Sequence, residues 1–333
     1  MQHDITAVIS STGVSAASLQ HYNTHVNNTF TSVQLQQVVM SAPCALLTLS
    51  RTLPSYCPSL GALHRGLSVR SMSSKRQRDH LQRTAAQPRH TALYPAQVCG
   101  ISQESESVKR LRLTVHPDFS FKAGQWVDLF IPGLATVGGF SMCSSPGLLQ
   151  REGVIELAVK YTDHPPAHWL HTKCSLGSRV KVRAGGEFFF DPGPCDVALD
   201  LLLVAGGVGI NPLYSILLHT AELLRLKQDS VRSVHLSFSA KSPQELLFKS
   251  SISETCALFP SVLSCDFHVT QGSTELEPPM SRGRISIDDL RAHVRPPSSL
   301  CYLCGPPTMI ESLSVSLQEL GLPPERVRFE KWW

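Results

Sequence analysis

Nowhere does this 333-residue sequence carry the roughly 18 consecutive apolar residues a membrane-spanning helix needs, so no membrane span is expected. The nearest approach, "LDLLLVAGGVGINPLYSILL" at 199–218, is broken by glycines, Asn211 and Pro212 into strand, turn and helix. Lys and Arg are missing from residues 1–39, and Asp and Glu are missing from Met40 to Arg78. Residues 1–80 hold six basic and two acidic groups, which account for the whole net charge of +4. The remaining 24 basic and 24 acidic groups cancel. A neutral body has no net basic face to collect phosphates, so nucleic acid is not an expected partner. Three clustered cysteines are also lacking, which excludes a built-in iron–sulfur relay. The ten cysteines are scattered and suit a reducing compartment better than a disulfide frame.

What the N-terminal region does contain is Ser, Thr and Gln without helical or alternating periodicity. From Met40 the run "MSAPCALLTLSRTLPSYCPSLGALHRGLSVRSMSSKRQR" is rich in Arg, Ser and Leu and free of acids. That composition is expected of a mitochondrial transit peptide, drawn inward by the membrane potential, with cleavage near Arg70–Ser74 and a matrix destination. A disordered polar tail has the same composition. Residues 1–85 are therefore assigned to a disordered or targeting segment.

Beyond it the pattern changes twice. Residues 107–115, 125–132, 154–162 and 178–184 are short alternating or β-branched runs punctuated by Gly and Pro, with a short helix expected at 165–174. They predict an antiparallel β-barrel over 86–194. From residue 195 to 333, strands at 200–206, 233–240, 264–270, 299–305 and 326–332 alternate with helical stretches, one of them at 286–294. This predicts a doubly wound α/β domain with a parallel sheet.

Three motifs carry chemistry. In "LLLVAGGVGINP" a buried strand ends in Gly206, Gly207 and Gly209, then a helix begins, with Asn211 expected as its N-cap and Pro212 at its first position. Such a turn lets phosphate oxygens approach backbone amides at a helix N-terminus. A tight strand-to-helix turn alone would have the same sequence. "CYLCGPPTMIESL" sets Cys304, Gly305 and Pro306 at another strand-to-helix junction. Its C-x-x-C spacing on a strand points the two thiols to opposite faces, which argues against a redox disulfide. "GGFSMCSSP", 138–146, is uncharged and too small and polar for a core strand.

In their order and spacing, these motifs resemble the ferredoxin–NADP reductase superfamily over residues 92–333. The resemblance implies a barrel that binds a flavin (FAD, or FMN) and an α/β domain that binds NAD or NADP. It further implies hydride transfer from nicotinamide to flavin and onward transfer of electrons to an acceptor the motifs do not specify. Gly206, Gly207, Val208, Gly209, Ile210, Asn211 and Pro212 fall in the family's pyrophosphate loop. Cys304, Gly305 and Pro306 fall beside the nicotinamide, and Ser239 and Lys241 fall where the adenosine ribose is read. Glu330 matches an acid close to the nicotinamide, and Trp332 an aromatic covering the flavin; packing of the terminal indoles on the barrel is the alternative. Phe140 and Ser141 match the ring-stacking and N5 positions, and Gly185 and Gly186 a third flavin element. Ser141, Cys304 and Glu330 are thus the candidate catalytic residues. The family pattern has Arg where Gly138 stands and a hydroxyl where Ala167 stands. Lys160, Arg183, His164 and His168 are candidate substitutes for that phosphate grip. Two functions fit: a flavin-dependent NAD(P)H oxidoreductase, or a non-catalytic NAD(P)-binding sensor or assembly protein with a degenerate flavin site.

Overall fold

The computed structural model describes residues 79–193, 197–228, 230–272 and 276–332. The expected transit segment lies outside these residues. The described chain opens with a short helix, α1 (His80–Arg83), capped by the Asp79 carboxylate on the His80 amide. An antiparallel sheet follows, built from β1 (Tyr94–Ser105), β2 (Val108–Val115), β3 (Trp126–Phe130), β4 (Gly138–Ser141), β5 (Val154–Lys160) and β6 (Arg179–Gly185). The spatial order is β4-β3-β6-β1-β2-β5. Its two edges meet where Met142 bridges Leu157 and the Cys143 amide donates to the Glu156 carbonyl at 2.9 Å, which closes the sheet into a barrel. Leu111, Leu113, Val127, Leu129, Ile155 and Leu157 fill the interior. Two helices interrupt the barrel: α2 (Pro146–Glu152), capped by Ser145 with Pro146 at its first turn, and α3 (Pro165–Thr172).

The second half is a parallel sheet with helices on both faces. Its elements are β7 (Leu199–Gly206), α4 (Ile210–Arg225), β8 (Val231–Ala240), α5 (Lys249–Leu258), β9 (Leu263–Val269), β10 (Met280–Arg282), α6 (Ile287–Arg291), β11 (Ser299–Cys304), α7 (Pro307–Glu319) and β12 (Val327–Glu330). The strand order is β10-β9-β8-β7-β11-β12, and every neighbouring pair is parallel. Because β7 and β11 are covered on both faces, they read as continuous apolar runs rather than alternating ones. The chain leaves β7 toward β8 on one side and returns to β11 on the other. The crevice at the carboxyl ends of β7 and β11 is therefore the switch point where such sheets take ligands.

The two sheets share a core, in which Ala123, Ala158, Phe188 and Phe190 of the barrel half pack with Leu213, Tyr214 and Leu217 of α4. Polar contacts cross the same boundary: the Ser215 hydroxyl donates to the Ser144 carbonyl at 2.6 Å, and the Tyr302 hydroxyl to the Phe189 carbonyl at 2.8 Å.

Two local expectations are corrected, and one strand was not expected. Asn211 is not the N-cap of α4: that position belongs to Gly209, and Asn211 lies one residue inside the helix. Its amide instead donates to the Ala158 carbonyl of β5 at 2.7 Å, and Pro212 follows as the third helical residue rather than the first. The helix expected at 286–294 starts as predicted, on a capping box between Ser286 and Asp289, but stops at Arg291. Finally, β1 had no expectation: its polar, bulged sequence hides a strand held by pairing with both β2 and β6.

Candidate functional site

The barrel and the carboxyl edge of the parallel sheet enclose a cavity of about 1280 Å³. The sheet edge supplies Gly206, Gly207, Val208, Gly209 and Asn211, then Cys304, Gly305 and Pro306. The barrel supplies Phe140, Ser141 and the β5–α3 connection, and Trp332 closes one side. Ile210 and Pro212 stand behind this wall, buried beneath the turn.

The glycine turn is shaped by its neighbour. A Cβ on Gly209 would sit 2.2 Å from the Cys304 carbonyl oxygen, so only glycine lets the start of α4 lie this close to the end of β11. Gly207 takes a positive φ of 56° with open space beside it. The first amides of α4 are thereby presented to the cavity, where the helix dipole favours an anion. The Asn211 side chain donates with its Nδ2, while its buried Oδ1 has no partner among the described residues.

Three strand ends converge beside this turn. Parallel register sets Cys304 next to Glu330, and the Ser141 hydroxyl donates to Glu330 Oε2 at 3.1 Å. The Trp332 indole donates to the same oxygen at 3.1 Å. Burial pushes the Glu330 carboxyl up to about 8, and the two hydrogen bonds hold it from rising further. Burial, with Glu330 beside it, pushes the Cys304 thiol well above its ordinary range, so it is a neutral wall group and not a nucleophile. Cys301 belongs to the core on the other face, so the C-x-x-C pair is split as its strand spacing predicts.

Trp332 stacks on His80 with ring centroids 5.8 Å apart and meets Trp126 edge-on at 6.4 Å. The terminal indole thus packs on the barrel and lines the cavity at once. His80 lies flat over Gly139, and its Nε2 is 2.8 Å from the fully buried Asp128 carboxylate. Arg183 donates two bonds to Asp128, at 2.8 and 2.6 Å, and Arg89 approaches it at 3.3 Å. Hydrogen bonds from His80 and Arg183 hold Asp128 below the usual carboxylate range against its burial. Arg183 is therefore committed to Asp128 and is not part of the cavity wall. Gly185 and Gly186 also lie outside it: Cβ atoms there would fall 2.5 and 2.6 Å from the Trp126 ring, which packs over both.

At position 138 the glycine is sterically coupled to Phe140. A Cβ on Gly138 would lie 2.5 Å from Phe140 Cε2 and 2.9 Å from Pro166 Cβ, so the phenyl ring fills the space an arginine stem would use. The first turn of α3 opens with Pro165 and Pro166, which have no N–H to offer an anion, and its N-cap His164 makes no side-chain cap. His168 is exposed on α3 and outside the wall. His164 lines the cavity, and burial and the neighbouring Arg83 push it below its ordinary value, toward the neutral ring. Lys160 reaches the cavity 3.8 Å from Glu245.

Of the wall cations that sequence reasoning missed, the one held against Trp332 is Arg83. It enters the same wall from α1, and its guanidinium donates to the Trp332 carbonyl at 2.6 Å, which leaves further N–H groups to face the cavity. Nothing in "DHLQRTAAQPRH" marks it for this place in the sequence. Ser239, Lys241 and Arg284 line the far end, at the tips of β8 and beyond β10.

Residues 203–314 match the family model of the oxidoreductase NAD-binding domain, which takes a nicotinamide nucleotide. The chain is 60% identical over 270 residues to "Oxidoreductase NAD-binding domain-containing protein 1" of Danio rerio, covering 79% of this chain and 100% of the relative. Among solved structures it resembles the Amycolatopsis cytochrome P450 reductase GcoB, with a TM-score of 0.61 and 23% identity over 74% of this chain and 70% of that one. A ferredoxin NADP+ reductase from Neisseria gonorrhoeae with bound FAD and NADP matches with a TM-score of 0.59 and 20% identity, over 72% and 99% of the two chains. The fold is that of the ferredoxin-reductase-like oxidoreductases, and the chain belongs to the family of oxidoreductase NAD-binding domain-containing protein 1.

Proposed function

We propose that this chain is a flavin-dependent NAD(P)H oxidoreductase, with NAD(P)H bound at the edge of the parallel sheet and FAD or FMN against the barrel. The observation that carries this reading is the meeting of Ser141 and Cys304 in the wall of a cavity, with Glu330 buried behind them and an anion-ready helix N-terminus beside them. The residues suit both groups: amides of the Gly206–Gly209 turn for a pyrophosphate, the unpartnered Asn211 Oδ1 for a donor, and Phe140 and Ser141 for a flat ring. Arg83 provides the phosphate-facing charge that Gly138 and the two prolines of α3 do not.

A bound flavin would supply hydride acceptance and onward release of electrons, chemistry no side chain can perform. The protein's part is orientation and charge. Glu330, protonated below about pH 8, accepts from Ser141 and Trp332 at Oε2, which leaves its own proton to Oε1. Cys304 remains a neutral thiol that shapes the wall, and Trp332 excludes water from the side it covers. The proposed division is a flavin half over 86–194 and a nucleotide half over 195–333. The proposed setting is the mitochondrial matrix, on the strength of the acid-free basic run from Met40 to Arg78.

The altered positions 138 and 165–167 favour one competing reading, a nucleotide-binding protein without turnover. Full-length chain incubated with FAD or FMN separates the two. Retained flavin absorbance and oxidation of NADH or NADPH with an artificial acceptor are expected. A chain that retains neither flavin yet binds NADH would overturn the enzyme reading.

A further inference from the structure

We propose that His235, Asp266 and His293 form a binding site for a borderline divalent metal ion of the zinc class, remote from the Ser141–Glu330 cluster. In β8, Val234, Leu236 and Phe238 point into the core under α4, so His235 and Ser237 face the opposite side of the sheet. In β9, Leu263, Cys265 and Phe267 share that core, so Ser264, Asp266 and His268 face the opposite side too. Register sets His235 beside Ser264 and Ser237 beside Asp266. His293 arrives from the turn just beyond α6. The ligand atoms of His235, Asp266 and His293 all lie within 4.8 Å of one another.

The surroundings are built for those three groups. His235 is 6% exposed and His268 4%, so their polar atoms must be satisfied from within. His235 Nδ1 lies 2.9 Å from the Ser264 hydroxyl, which fixes one end of the ring and turns Nε2 toward Asp266 Oδ2, 2.8 Å away. The Ser237 hydroxyl lies between these two atoms, at 3.2 and 3.1 Å. His268 Nε2 is 3.1 Å from the other carboxylate oxygen, Oδ1, and so orients Asp266 from outside. A nitrogen ligand and a carboxylate ligand, each held by a further hydrogen bond, are the supported donors of metal centres. The rings of His235 and His293 lie parallel with centroids 3.3 Å apart, so the turn that carries His293 packs directly against β8. Stacked rings do not aim their in-plane lone pairs at one point, so coordination requires His293, half-buried on its turn, to turn out of the stack.

The donor set selects the class of ion. Two imidazoles and one carboxylate with an open fourth position suit Zn²⁺, whereas Ca²⁺ and Mg²⁺ call for oxygen ligands. The nearest thiol along the strand, Cys265, faces the other side of the sheet. A bound ion would fasten β8 and β9 to the connection between α6 and β11.

Chelator-treated full-length chain is titrated with ZnCl₂, and in parallel with CoCl₂. One equivalent of ion retained after desalting is expected, with a cobalt spectrum free of thiolate charge-transfer absorption. At about a hundredfold excess over Kd the melting temperature should rise by roughly 5–10 °C. His293→Ala, a change on a turn that leaves both strands intact, should abolish retention and the rise, and Asp266→Asn should do the same. Absence of a retained ion, retention unchanged in both variants, or a thiolate band would each overturn the proposal.

Discussion

The Ser141 hydroxyl donates to Glu330 Oε2 at 3.1 Å, joining the last residue of β4 to the last residue of β12 across 189 positions of sequence. The bond ties the barrel to the parallel sheet at a buried carboxyl whose ordinary value of 4.5 is moved up to about 8. In the unfolded chain this group ionises near 4.5, and in the folded chain it holds its proton until about 8. The folded state therefore binds more protons between those values, and stability falls as pH rises through that window. Glu330→Gln removes the titration. Its melting temperature relative to the unmodified protein should climb steadily from pH 5 to pH 8, measured at fixed ionic strength. A constant offset across that range would refute a raised Glu330.

Ser141→Ala should push Glu330 higher still, because the lost hydrogen bond is one of the two contacts that restrain it. The expected cost is about 1–3 kcal/mol by denaturant unfolding, the penalty for removing a partner from a buried polar group. If the proposed function holds, flavin-dependent NADH oxidation falls steeply while NADH affinity changes little. Equal losses in both would leave Ser141 without a role in the transfer.

Arg83→Gln tests the cation that α1 delivers to the cavity wall. Charge-assisted hydrogen bonds contribute about 1.5–3 kcal/mol, so flavin affinity should weaken roughly 10- to 100-fold. Quenching of flavin fluorescence on titration with apoprotein measures it directly. Gly138→Arg should not restore the loss, since Phe140 and Pro166 occupy the path of its stem. Affinity unchanged by Arg83→Gln would place the phosphate grip elsewhere.

Gly209→Ala forces a Cβ against the Cys304 carbonyl, 2.2 Å away. Backbone cannot yield as a flexible side chain does, so the start of α4 must separate from the end of β11. NADH affinity should drop by at least about tenfold, read by fluorescence titration, with a lower melting temperature. Retention of full affinity would mean that the junction tolerates movement.

The parallel sheet was legible because its signals are local. The buried run 200–206, the glycine turn and the Gly305–Pro306 junction each announce a strand-to-helix step within a dozen residues. Ser141, Glu330 and Cys304 were legible only through the family resemblance, since no spacing along the chain reveals that β4 and β12 end together. Asn211 misled for a physical reason: a residue suited to capping its own helix was instead used to hold the barrel. Arg83 and His80 were hidden by their place in a short helix before the first barrel strand, where composition alone suggests a tail. Their partners, Trp332 and Asp128, lie 249 and 48 residues away.

Asp128→Asn tests whether that leading segment is structural. The carboxylate is fully buried and faces His80, Arg89 and Arg183, so the change leaves the two arginines without their shared counter-charge. Breaking a buried pair by removing one partner costs about 3–5 kcal/mol. Because the folded-state value of Asp128 is depressed, its contribution is present above the ordinary carboxylate range and is lost as pH falls through the folded value. The deficit of Asp128→Asn relative to the unmodified protein should therefore be full at pH 7 and shrink below about pH 4. The loss should also free α1, exposing Trp332 to a soluble fluorescence quencher, since His80 is what stacks on that indole. An Asp128→Asn protein with unchanged stability and an unchanged tryptophan quenching curve would show that the segment merely rests on the barrel.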